Sequence, residues 1–547
     1  MTDLVLGPLL RHVGSRDAMI WVETDGPCEV TVLGHSEHTW IVAGHHYALV
    51  VVDGLEPGTS NRYDVRLDGD VVWPPAGDTR PQSRIRTMAA DRPVRIAFGS
   101  CRYATSAAVS DNSHFDADAL DCYSRELASQ PDTEWPEALL LLGDQVYADE
   151  TSDATKQRIA ERRDINSGAK DQVADFEEYT WLYSESWTDP DVRWLLSTVP
   201  SSMIFDDHDI RDDWNTSELW RSDMKQTSWW PERIIGGLSS YWVYQHLGNL
   251  SPALLAENAL YQKVRAAGTD VEPMLRDFAA AADAEADGEK GTRWSYRRDF
   301  GNVRLVMIDS RCGRILAENS RSMISRSEFG WITDQVDGDY DHLLIGTSLP
   351  WLLARALHDI ESWNELLCSG VRGPRIARWS EKFRRAADLE HWASFRKSFD
   401  LLADLLADVG RGEHATQPGE PPATICVVSG DVHHAYVAQA QYTQPVTTPI
   451  YQLTCSPLHN YVPAAMKVAF RLSWSRLAER ITRLLLGVVA KVPPLSLSWT
   501  REAGPFFGDE IMTARFEGRR ASVVLEQAGR NRDQPRLRHI ARIALSD

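Results

Sequence analysis

The sequence predicts a mixed α/β protein, with a small all-β region followed by a larger α/β domain that carries helical insertions. Residues 1–88 hold short β-branched runs broken by Gly, Pro and Asp at roughly ten-residue spacing, the pattern of a β-sandwich. From Val94 onward, continuous apolar runs alternate with helical stretches, as in a sheet buried on both faces. Stretches near 215–295, 352–415 and 458–495 lack strand character and read as helical insertions. A chain of 547 residues exceeds one ordinary core. The expected division is a domain over 1–88, a second over 93–528, and a C-terminal tail over 529–547.

Taken in order, Ala18–Glu23, Cys28–Leu33 and Tyr47–Val52 supply N-terminal strands. The stretch Gly54–Tyr63 resembles the loop and tyrosine of a fibronectin type III domain. That resemblance implies an Ig/fibronectin III-like sandwich in which the Tyr63 hydroxyl bonds backbone. Breaks follow at Pro74–Gly77 and Ala89–Pro93. Six buried strands are then expected: Arg95–Phe98, Ala138–Leu142, Met203–Phe205, Val303–Ile308, His342–Ile345 and Thr424–Val428. Glu413–Pro422 is a loop, and Met512–Glu517 with Arg519–Leu525 reads as a hairpin turning at Glu517-Gly518. In the third insertion Phe470, Trp474, Leu477, Ile481 and Leu484 share one helical stripe, with Arg471, Arg476, Arg480 and Arg483 elsewhere. Such a stripe is expected to pack on the protein's own core as a wall of the site; contact of 464–491 with a membrane surface is the alternative.

The net charge of −20 argues against nucleic acid as a partner, which would need Lys and Arg patches. An anionic substrate would have to be attracted locally, by metal ions or a few arginines. The opening MTDLVLGPLL has no basic, apolar leader, and the seven cysteines are scattered without a CxxC pair. The expectation is a cytoplasmic protein with reduced thiols.

Chemistry gathers where the buried strands end, since ligands of α/β sheets bind beyond the carboxyl ends of the strands. The six ends read Gly99–Arg102, Gly143–Tyr147, Asp206–Asp209, Asp309–Arg311, Gly346–Ser348 and Ser429–His434. They deliver carboxylates, imidazoles, a thiol, a phenol and guanidiniums to one edge. Each alone is unspecific: Cys101 could be a small core residue, and His208 a salt-bridged structural histidine. Together they need a cationic partner, because buried charges must be paired. Thiolate and phenolate suit ferric iron, while carboxylates suit Ca²⁺, Mg²⁺ or Mn²⁺. Two metals ~3.5–4 Å apart could activate water for in-line displacement at phosphorus.

The set F-G-S-C, G-D-Q-V-Y, D-D-H-D, D-S-R and S-G-D-V-H-H resembles the PhoD-like alkaline phosphatases of the calcineurin-like metallophosphoesterase superfamily. That resemblance implies a four-layer α/β/β/α catalytic domain with iron and calcium. It implies metal ligation by Cys101, Asp144, Tyr147, Asp207, Asp431 and His433, with Asp144 bridging two metals. His208 would contact the scissile phosphate and protonate the leaving oxygen. Arg311 and Arg102 are candidates for phosphate contact, with ion pairs inside the cluster as the alternative. Asp206 and His434 are expected to hydrogen-bond the ligands, and Asp213 to stand beside a metal site where the family commonly has asparagine. The fifth strand ends in Thr347-Ser348 without the family's histidine.

The expected activity is hydrolysis of phosphomonoesters or phosphodiesters by a hydroxide bridging two or more metal ions. The rival is a catalytically degenerate module that binds a phosphorylated partner or a membrane surface.

Overall fold

The computed structural model describes residues 2–89, 92–103, 105, 107–109, 114–287, 292–416, 420–529 and 536–546. Parts of the expected break at 89–93, the loop at 413–422 and the tail lie outside these residues. The six expected buried strands all form, within a residue or two of their expected ends. They do not share one sheet. Ser201–Ile204, Ala138–Leu142 and Val94–Gly99 run parallel in a six-stranded sheet, which continues through Glu510–Glu517, Arg520–Ala528 and Leu537–Ala544. Val303–Met307, His342–Gly346 and Thr424–Ser429 run parallel in a seven-stranded sheet with Tyr296–Phe300, Ile450–Thr454, Ala435–Tyr442 and Leu497–Phe506.

The continuous apolar runs follow from this arrangement. One face of each sheet meets the other sheet: Phe98, Leu140 and Leu142 pack with Leu305, Leu344, Val428 and Leu453. The alternate residues meet helices. Leu139 and Leu141 pack with Leu120, Leu195 and Leu238, and Val306, Ile345 and Val427 with Ile332, Phe399 and Leu406. Each fully buried leucine contributes about 2 kcal/mol of transfer free energy. The hairpin turns as expected, with Glu517 opposite Arg520. The segment expected as a tail instead supplies Leu537–Ala544, antiparallel to Arg520–Ala528. Its lack of any buried residue and its three basic side chains suit the edge of a sheet, and they hid the strand among polar sequence.

The N-terminal region forms two four-stranded antiparallel sheets around Leu10, Ile20, Val30, Val50, Val65 and Trp73. It is tied firmly to the rest. The buried Arg11 guanidinium donates to the carbonyls of Ser201 (3.3 Å), Tyr244 (2.7 Å) and Gln245 (2.8 Å). Burial pushes its pKa down to about 10. The Tyr63 hydroxyl does bond backbone, but outside the N-terminal region, at the Ser197 carbonyl (2.5 Å).

The insertions are helical. The first carries Glu218–Lys225, Trp230–Tyr241 and Glu272–Asp283, the second Arg355–Cys368, Pro374–Ala386 and Arg396–Gly410, and the third Ala464–Ser473 and Arg476–Val489. The stripe expected to pack does so only at its start. Phe470 stacks on His434 and Trp474 meets Tyr436 edge-on, whereas Leu477, Ile481 and Leu484 are exposed. The turn between the two helices separates these groups, so a single continuous stripe never forms.

Candidate metal centre

The carboxyl ends of the two sheets converge, and the chain bends sharply there. Cys101, Asp144, Asp213, Asp431 and His433 all have φ between 49° and 67°, a region L side chains rarely adopt. Four of these five are expected ligands. Close backbone approach explains the intervening glycines: a Cβ on Gly143 would lie 2.5 Å from Asp206 Cβ, and one on Gly430 would collide with Ser100. Hydrogen bonds lock the loops together. Cys101 N donates to Gly143 O (3.2 Å), Arg102 N to Asp144 O (3.1 Å) and Asp431 N to Ser100 Oγ (3.1 Å). The buried Asp209 carboxylate accepts from the backbone of Asp144 (2.9 Å), Gln145 (3.2 Å) and Asp206 (2.8 Å), clasping two strand ends.

These loops crowd negative charge. Carboxylate oxygens of Asp144, Asp206 and Asp207 lie within 4.8 Å of one another, and so do those of Asp207, Glu390 and Asp431. Burial, then neighbouring charge, pushes the Asp144 and Asp206 carboxyls well above the usual range. Burial with Glu390 and Asp212 raises Asp213 to about 9. Asp144 Oδ1, Asp206 Oδ2 and Asp213 Oδ1 are buried without a hydrogen-bond partner among the described residues. Arg311 is the cation at the centre. It pairs with Asp206, lies 3.1 Å from Asp207 and 3.8 Å from Asp431, and donates to Glu390 (2.5 Å). Arg314 also reaches Glu390 (3.4 Å) and His391 reaches Asp431 (2.8 Å), yet Asp144 Oδ1, Asp206 Oδ2 and Asp213 Oδ1 stay without a hydrogen bond, and these orphaned oxygens have the character of ion ligands.

The softer donors border the same cluster. Burial and the charges of Asp144 and Asp431 raise the Cys101 thiol, whose Sγ sits 3.7 Å from Asp431 O. The Tyr147 hydroxyl faces Asp144 Oδ2 (3.4 Å) and accepts from the Asn460 amide (3.0 Å). Burial lowers His433 to about 4, which leaves its imidazole neutral and able to ligate. His208 stacks on Tyr147 at 4.6 Å, and its Nδ1 bonds Asp149 Oδ1 (2.9 Å). Asp149 outweighs burial and holds the His208 pKa well above its ordinary value. The carboxylates therefore gather closely enough to hold ions, whereas Cys101 and His433 border them without a donor atom inside any group among the described residues that spans 4.8 Å or less.

Several expected roles change. Arg102 is buried away from the cluster, donating to Asp118 (2.7 Å) and to Ser186 O (2.7 Å); Asp118 also caps the helix Ala119–Ser129. With Nε and Nη1 bonded there and the side chain buried, this guanidinium is held away from the cluster. Arg311 lies in the cluster, but its buried guanidinium faces carboxylates on several sides, so it braces the cluster. His434 hydrogen-bonds the Val432 carbonyl (2.6 Å) inside a cage of Tyr436, Phe470 and Phe507, rather than a ligand. Asp206 offers its own oxygen to the cluster in addition to bonding Arg311.

Sequence reasoning missed Asp149, Asp209, Glu361, Glu390, His391 and Asn460. Four of these come from the second and third helical insertions, to which the sequence pattern assigns no ligand-supporting residue. His391 links Glu361 (2.8 Å) to Asp431 Oδ2 (2.8 Å). The adjacent Trp392 indole reaches Thr347 Oγ1 (3.4 Å), so Glu390 and His391 lie over the fifth strand's end, where the sequence lacks histidine. The run Asp388-Leu389-Glu390-His391 was the available signal, a dense titratable stretch between two helices.

A family model described as PhoD-like phosphatase matches residues 107–471, and one described as a domain of unknown function (DUF7800) matches residues 1–85. A solved structure titled "Structure of PhoD" aligns over 100% of this chain and 90% of its own, with a TM-score of 0.60 at 10% identity. A purple acid phosphatase isolated from yellow lupin (Lupinus luteus) seeds aligns over 98% and 74%, with a TM-score of 0.48 at 10% identity. No curated protein matches the chain.

Proposed function

The chain belongs to the PhoD-like phosphatase family, and from that premise we propose that it hydrolyses phosphate esters, diesters as well as monoesters, at the cluster of strand-end loops. The observation that carries this reading is the set of buried, unpartnered carboxylate oxygens beside a thiol, a phenol and a neutral imidazole. Cys101, Tyr147 and Asp144 would suit iron, the carboxylates of Asp144, Asp207 and Asp431 a harder ion such as calcium, and the His433 imidazole a transition metal rather than calcium. Such ions supply Lewis acidity toward phosphoryl oxygen and acidify water.

The chain's own residues do the rest. His208 holds a proton at Nε2, because Asp149 fixes Nδ1 and stabilises the imidazolium. That proton is the one given to the departing ester oxygen. Arg311 offsets repulsion among Asp206, Asp207 and Asp431 and keeps them gathered. Two packed sheets with helices outside support a four-layer α/β/β/α reading, and the N-terminal pair of sheets an Ig/fibronectin III-like one. Seven buried free thiols support a reducing, cytoplasmic setting.

The test is turnover of a chromogenic monoester and diester by Asp144→Asn and His208→Ala after metal loading. We expect losses of about 10²–10⁴-fold in each. Wild-type rates in both variants would refute the assignment.

A further inference from the structure

The helix Arg476–Val489 is amphipathic, and its apolar side faces outward. Leu486 packs with Trp363 and Leu367 of the helix Arg355–Cys368. Round the other side, Leu477, Ile481, Leu484, Leu485 and Val488 follow the i, i+4, i+7, i+8, i+11 spacing of one face. All five are exposed, Leu484 to 74% and Val488 to 81%. The preceding helix Ala464–Ser473 adds exposed Met466, Val468 and Leu472. Contiguous aliphatic surface of this kind marks a contact face. No helix among the described residues is long and apolar enough to cross a membrane.

Charge identifies the occupant. Residues 464–491 carry six cationic side chains and one carboxylate, Glu479, in a chain whose net charge is −20. Arg476 and Arg480 flank the apolar stripe, and none of the described residues forms an ion pair with them. The helix also forms one wall of a cavity of about 500 Å³ lined by Arg355, Asp359, Arg396, Arg483 and Lys491. There Arg483 pairs with Asp359 and Glu479 and Arg396 with Asp400, so the cationic character of the patch rests on Arg476, Arg480 and Lys491. A second copy of the chain would set this cationic patch against itself, because a two-fold interface pairs a surface with its own image. An anionic bilayer satisfies both the aliphatic stripe and the cations.

We propose that the helix pair 464–489 is a docking face for an anionic lipid surface. The aliphatic stripe enters the boundary between headgroups and acyl chains, and Arg476 and Arg480 stay at headgroup level. Phe470 and Trp474 remain packed on His434 and Tyr436, so docking holds the surface beside the loop that carries Asp431 and His433.

The full chain should co-sediment with mixed phosphatidylcholine–phosphatidylglycerol vesicles at low salt, and far less with pure phosphatidylcholine. Leu484→Glu/Val488→Glu should lower partitioning at least about tenfold. Arg476→Gln/Arg480→Gln should lower it by roughly fivefold per cation removed, and added salt should do likewise. Circular dichroism and thermal melting serve as fold controls, and all five stripe positions are surface sites. Failure of the wild-type chain to bind anionic vesicles would overturn the proposal. So would equal binding by Leu484→Glu/Val488→Glu, or a dimer in sedimentation velocity that Leu484→Glu disperses while no lipid is bound.

Discussion

At Asp431, one carboxylate faces an arginine on one side and a histidine on the other, and the histidine belongs to an insertion. The Glu361–His391–Asp431 chain orients that carboxylate, as partners of metal ligands do elsewhere. His391→Ala should weaken metal retention about 10–100-fold, read by elemental analysis after dialysis against a graded chelator series. The strand-end donors were legible in sequence because a buried strand ending in polar residues announces a site. Cys101, Asp144 and Asp431 stand out on that ground. His391 could be marked only as part of a dense titratable run and Asn460 not at all, since nothing in a helical insertion's own pattern says which strand end it covers. Arg102 looked like a phosphate contact for the converse reason: its neighbours in sequence lie at the site, while its partners Asp118 and Ser186 are distant in sequence.

Among the elements, the turn after Ala138–Leu142 tolerates least change. Gly143 has φ +107°, and any Cβ there would press on Asp206 and Ser348. Gly143→Ala should cost about 3 kcal/mol or more, seen as a lower denaturant midpoint, with loss of bound metal as the two loops part. The six expected strands were readable because burial on both faces leaves unbroken apolar runs, whereas the equally buried inner strand Ile450–Thr454 was not, its run being broken by Gln452 and Thr454. Tyr296–Phe300, Ala435–Tyr442 and Leu497–Phe506 were not, since they lie at or next to a sheet edge and mix charged, small and polar residues. The helix Arg476–Val489 misled for a related reason. Its stripe is as regular as that of a core helix, and periodicity alone does not say whether the apolar face turns inward.

At the scale of the whole molecule, the N-terminal sheets and the larger domain share ionic contacts that titrate. Burial opposes charge on His45, but its bonds to Glu177 (2.7 Å) and Glu23 (3.1 Å) prevail and push its pKa from 6.5 up to about 9. A raised folded-state pKa contributes stability that is complete below about pH 6.5 and fades as pH rises through 9. Glu177, lowered to about 2, contributes above about pH 4.5 and loses that contribution in acid. His45→Gln should therefore cost about 1–2 kcal/mol near pH 6 and little near pH 10, the part-exposed pair being screened by solvent. Melting the variant and the wild type across that range decides it. Arg11 carries the same junction in another currency. Its guanidinium donates to three main-chain carbonyls and the Asn249 amide oxygen (3.2 Å) with no carboxylate among them, so parting the two regions would strand acceptors on one side and a desolvated cation's socket on the other. The N-terminal all-β region is thus no detachable appendage. Scanning calorimetry should record a single endotherm for both regions, and a chain begun at residue 93 should come from expression as aggregate, because the surface it bares was built never to meet water.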